Sequence, residues 1–114
     1  MNMMKVNHYE EYRKAVMAIP RLPAADSREL AWLAWAGEKD ARRELVERHL
    51  WMVVEAAERL RPWQAQSFDS LVSTGNRALV RAADIYCPWD RREFEEFAWD
   101  VLLLGLNREA IPTA

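Results

Sequence analysis

The sequence predicts an all-α protein, a compact bundle of about six helices in one domain. Three observations carry that expectation. Ala, Leu, Glu and Arg dominate and only three glycines occur, a balance that favours helix throughout. Apolar residues recur at three- and four-residue spacing, with no hairpin signal, internal repeat or low-complexity segment. Apolar residues make up 51% of the 114 and charged residues 30%, which suits a buried core and excludes disorder.

The elements follow in order. A tail of residues 1–6 leads into the helical domain, residues 7–111, and residues 112–114 form a second tail. The first helix runs from about Asn7 to Ile19, with Tyr9, Tyr12, Val16 and Ile19 on one face. Pro20 ends it, and Pro20-Arg21-Leu22-Pro23 is an extended connector. A second helix spans about Ala24 to Ala36, with Leu30, Leu33 and Ala34 inward and Gly37 as its C-cap. The third, Lys39 to Arg48, turns Ala41, Leu45 and Val46 inward; the fourth, about Leu50 to Leu60, buries Leu50, Val53, Val54 and Ala57. Pattern alone leaves open whether these two are continuous or bend near His49. Arg61-Pro62-Trp63-Gln64 is a loop.

The fifth helix, about Phe68 to Ile85 with Ser67 as N-cap, carries Gly75-Asn76 near its middle. Glycine inside a helix costs ~1 kcal/mol relative to alanine, so something is expected to approach that backbone closely. A neighbouring helix or an outside partner would both do so. Cys87-Pro88-Trp89-Asp90 is a turn, with Asp90 placed to cap a sixth helix from about Arg91 to Arg108, which Pro112 stops.

Charge and composition narrow the function classes. The net charge of −2 weighs against tight, independent nucleic-acid binding. Cys87 is the only cysteine, so no intrachain disulfide can form and a cytoplasmic setting is expected. No window reaches the ~18 apolar residues of a membrane span, and no signal peptide is evident. His8 and His49 lack ligand spacing, no phosphate loop or activated nucleophile is visible, and neither a catalytic residue nor a cofactor or metal site is expected.

The run Phe68 to Asp84 resembles the polymerase-docking helix of bacterial housekeeping-class sigma factors. Ile19-Pro20-Arg21-Leu22-Pro23 looks like the link that precedes the sigma helical core. Glu29-Leu30-Ala31, Ala36-Gly37-Glu38, Ala41, Arg43, Leu45-Val46-Glu47, Leu50 and Val53-Val54 follow the family pattern without a gap. Phe94, Phe97 and Ala98 stand where the DNA-melting helix begins. The resemblance covers roughly residues 9 to 111 and corresponds to the second conserved region of the family, the core-binding helical domain.

The resemblance implies a transcription-initiation protein that docks on the clamp helices of the largest subunit of RNA polymerase core. Leu71, Gly75, Asn76, Leu79 and Val80 are the implied docking residues. Ser70, Ser73 and Thr74 replace two carboxylates and an amide of the family's docking row, and each lost charge-assisted contact is worth ~1.5–3 kcal/mol. The tryptophan pair that holds melted promoter DNA is replaced by Asp100 and Val101, and the duplex-reading Arg-Gln pair by Leu103 and Leu104. Phe94, Phe97 and Trp99 are the remaining candidates for DNA contact, and loss of melting is expected.

The chain stops short of the family's downstream regions, so the resemblance implies half of a split factor completed by a second sigma subunit, or a regulator at the sigma site. Val101 to Leu104 is four aliphatics in a row, which one helix face cannot bury; Leu103 and Leu104 are candidates for a partner or homodimer interface. Trp32, Trp35 and Trp51 stand at places often polar in the family, and suit either packing or an exposed aromatic patch. The alternative function is a degenerate sigma fold serving as a protein-interaction or self-association module.

Overall fold

Within the described residues, 8–61 and 67–110, every regular element is helical; side chains are described through residue 107. The structure is a computed structural model. Its helices are α1 (His8–Met17), α2 (Ala24–Trp35), α3 (Lys39–Glu47), α4 (Leu50–Leu60), α5 (Phe68–Ile85) and α6 (Phe94–Ala110). The two tails and the loop residues 62–64 lie outside the described residues.

Local chemistry sets the boundaries. Gly37 adopts φ 101°, the left-handed region that favours glycine. Its N–H donates to the Ala34 carbonyl, and the Glu38 N–H to that of Leu33, so orphan carbonyls of α2 are satisfied in a Schellman arrangement. Ser67 caps α5 as expected, its hydroxyl accepting from the Ser70 N–H at 3.2 Å. Between α3 and α4 the chain bends at Arg48–His49, where His49 leaves helical geometry at φ −118° and ψ 10°.

Two expectations are corrected. Helix α6 begins at Phe94, not Arg91, because the Asp90 carboxylate accepts the Arg92 N–H at 2.9 Å and closes a local turn. The helix is capped instead by Glu96, which accepts the Glu93 N–H at 3.1 Å, the back-reach of a capping box. In α2 the inward residues are Ser27 and Ala31, whereas Leu33 is exposed. Small side chains let α2 approach its neighbours; Leu30 packs against the core as expected, whereas Trp32, Leu33 and Trp35 turn outward.

Helix α4 is the axis of the core. Trp51, Met52, Val53, Val54, Ala56 and Ala57 are all buried, enclosed by α1, α5 and α6. Helix α5 lies against both α4 and α6, and its apolar stripe Leu71, Gly75, Ala78, Leu79, Ala82 faces inward. Helix α6 returns along α5, from Tyr86–Phe94 at the turn to Ala78–Gly105 further along. Helices α2 and α3 pack on each other and reach α6 and α5 respectively.

His49 is buried at the bend. Its Nδ1–H donates to the Leu45 carbonyl, 2.7 Å away, which leaves Nε2 to accept from the Ser27 hydroxyl at 3.4 Å. Burial pushes its pKa below the usual 6.5, outweighing the Leu45 hydrogen bond and the nearby Glu95 charge. The unfolded chain therefore takes up this proton before the folded one does. Stability is expected to be fully present above about pH 6.5 and to fall as the pH drops below it. Thermal melts between about pH 7 and 5 check this: the slope of Tm should flatten in His49→Gln, and an equal slope in both proteins would remove His49 as its source.

Candidate functional site

Three of the five residues expected to dock on polymerase, Leu71, Gly75 and Leu79, belong to the core. Leu71 and Leu79 have no exposed surface, and Gly75 is buried. A Cβ built on Gly75 would lie 2.6 Å from Val53 Cγ1 and 3.3 Å from Leu102 Cδ1. The close approach that this glycine permits is therefore that of α4 and α6, not of an outside partner. Leu71, Gly75 and Leu79 are corrected to fold determinants.

Asn76 is only partly exposed, and α1 engages it. Its Nδ2 donates to the Tyr12 hydroxyl at 3.4 Å beside a cleft formed with Tyr9, Asp69 and Ser73. Helix α1 is held there by Tyr9, which stacks on Phe68 with centroids 4.5 Å apart and donates to Glu58, and by the Arg13–Glu58 ion pair. Burial, reinforced by the Glu58 carboxylate, pushes the Tyr9 hydroxyl pKa upward. Val80, half-buried like Asn76, lines a second surface groove, shared with Ala34, Arg42 and Val46.

The expected DNA-contact residues separate as well. Phe94 is 1% exposed and sits edge-to-face against His49 and Tyr86, at 4.9 and 5.3 Å. It is a core residue, corrected from a nucleic-acid contact. Phe97 and Trp99 are half-buried, with the Arg92 and Arg59 guanidinium groups 5.2 and 5.8 Å from their ring centres. The aliphatic run behaves as its spacing requires: Leu102 is fully buried, while Leu103 and Leu104 project outward.

An exposed aromatic patch exists, with one member that sequence patterning did not supply. Trp32, Trp35 and Trp89 are 44%, 61% and 57% exposed and touch one another, with centroids 5.5–6.0 Å apart. Trp51, for which packing and such a patch were both open, is buried in the core with the Arg21 guanidinium 3.7 Å above its ring. Trp32 and Trp35 are three residues apart on one face of α2. Trp89 comes from the α5–α6 turn, nearly sixty residues away in sequence.

Arg28 makes that meeting. One turn before Trp32, its guanidinium donates to the carbonyls of Pro88 at 2.6 Å, Asp90 at 3.0 Å and Arg92 at 3.3 Å, and pairs with the Glu93 carboxylate. The Tyr86 hydroxyl also donates to the Arg92 carbonyl at 2.7 Å. The turn is tied on both sides, so Trp89 is presented on a fixed backbone. Three indoles held in solvent are an uncommon surface, because large apolar groups gain from burial. Tryptophan is enriched in protein-binding hot spots, where its area becomes desolvated.

Among the described residues, no group of three or more His, Cys, Asp or Glu side chains could hold a metal ion, and no helix is long and apolar enough to cross a membrane. Neither a protein-family model nor a curated protein matches the chain. The sigma resemblance therefore stands on the residues themselves.

Proposed function

We propose that the protein is a sigma-factor-like docking protein: a non-catalytic helical domain that acts in transcription initiation by seating on RNA polymerase core. It would serve as one part of a split sigma factor or as a regulator at the sigma site. The observation that favours a docking role most is the pre-positioned triad Trp32, Trp35 and Trp89. The polymerase as partner comes from the resemblance. Residues that carry it, Ala41, Leu45, Val53, Val54, Leu71, Gly75 and Leu79, are ones the helix crossings require. They support a shared architecture more directly than a shared activity. Burial of Phe94, with the net charge of −2, argues against promoter melting by this domain.

Retention on purified core polymerase, and displacement by excess housekeeping sigma factor, is the expected result. Converting all three exposed tryptophans to serine should weaken retention at least about tenfold while leaving helicity unchanged, since hot-spot aromatics carry ~2 kcal/mol or more each. Retention that survives the triple change would remove the triad from the docking surface. No retention, alone or with a second sigma subunit, would leave the other reading: a sigma-like fold used as an interaction or self-association module without polymerase or DNA. The outward Leu103 and Leu104 favour that second reading.

A further inference from the structure

Helices α5 and α6 enclose a surface groove of about 540 Å³, apart from the tryptophan triad and touching the buried stripe only at Ala78. Ala78 and Val101 line it, and Ile85 and Leu104, 49% and 67% exposed, add apolar surface to its lining. Arg77 and Arg81 line the same groove, and among the described residues neither pairs with a carboxylate. Among the described residues Arg77 donates only to the Ser73 and Thr74 hydroxyls, at 3.2 and 3.3 Å. Arg81 has neither an ion pair nor a hydrogen bond among the described residues.

Arg21, Arg61 and Arg91 are likewise without a carboxylate partner among the described residues, but none of them lines the groove. Seven other arginines pair with carboxylates, including Arg42, which reaches from α3 to take Asp84. Asp84 is the carboxylate that would otherwise sit one turn from Arg81 at helical i,i+3 spacing. Asp100, which precedes the groove residue Val101 in α6, is likewise taken by Arg92. A chain of net charge −2 thus leaves two like charges four residues apart, a pairing that mildly destabilises an isolated helix.

From this we infer that the α5–α6 groove binds an amphipathic helix of a partner protein bearing acidic side chains four residues apart. Helix-in-groove recognition needs an apolar trough for one face of the guest and charges at its edge for register. Arg77 and Arg81 stand about 6 Å apart along their helix axis, the interval between i and i+4 carboxylates on a guest. The apolar lining sets this groove apart from a phosphate-binding surface. The inference does not depend on polymerase as the partner.

The test uses the whole protein and a synthetic 18-residue helical peptide with leucines along one face and glutamates at i,i+4 on its edge. Saturable binding is expected, weakening as salt rises. A matched peptide with lysines for the glutamates should bind at least about tenfold more weakly. Arg77→Gln with Arg81→Gln, and separately Leu104→Glu, should each reduce affinity about tenfold or more with thermal melts unchanged. Should Leu104→Glu unfold the protein, the glutamine pair alone decides. Equal binding of both peptides, or unchanged affinity of the glutamine pair, would overturn the inference. Preferential binding of a single-stranded DNA oligonucleotide would overturn it too. So would sedimentation showing a dimer that the same substitutions dissolve, since a second copy would then own the groove.

Discussion

Phe94→Ala is expected to lower the unfolding free energy by about 3–5 kcal/mol, the cost of deleting a fully enclosed aromatic side chain. Phe94 closes the junction of the α3–α4 bend with the α5–α6 turn, packed edge-to-face on both His49 and Tyr86. Its removal leaves a cavity that neither ring fills without leaving its hydrogen bond, His49 to Leu45 and Tyr86 to Arg92. Urea titration measures the loss directly, and a Tm drop of more than about 10 °C should accompany it. Water admitted to the cavity should also weaken the His49 pH dependence. A loss below about 1 kcal/mol would mean that Phe94 is not the core residue its burial indicates.

Gly75→Ala should destabilise the protein although alanine is the best helix former. The intrinsic gain is about 1 kcal/mol. Against it stands a methyl group 2.6 Å from Val53 Cγ1, on a fully buried, β-branched side chain with little rotamer freedom. Overpacking of this kind costs about 1–3 kcal/mol, which leaves a net loss of up to about 2 kcal/mol. The sign should reverse in a Val53→Ala background, where the 2.6 Å clash is gone and only the milder 3.3 Å contact with Leu102 Cδ1 opposes the propensity gain. A double-mutant cycle gives the coupling. If Gly75→Ala stabilises the wild-type protein, the three-helix crossing is not what requires glycine.

Helix identity and order were legible because their signals are local. Pro20, Pro23, Gly37 and Ser67 act on the backbone beside them, and the structure uses Gly37 and Ser67 as their chemistry predicts. Asp90 misled because an aspartate can cap a helix or close its own two-residue turn, and only the geometry after Pro88 decides between them. Gly75 misled for a deeper reason. A helix neighbour and a visiting partner impose the same demand on a glycine, so spacing cannot tell which one comes close. Trp89 lay beyond sequence patterning altogether, since its place beside Trp32 and Trp35 depends on Arg28 binding carbonyls some sixty residues away. A basic residue one turn before two outward tryptophans was visible; its target was not.

The Arg28 tether makes mechanical neighbours of chain segments that share no covalent proximity. A molecule that grips the indoles pulls on α2 and on the hinge of the α5–α6 hairpin at once, through a single guanidinium. Strain applied at that corner is thereby shared between α2 and the α5–α6 hairpin, rather than peeling one helix from the rest.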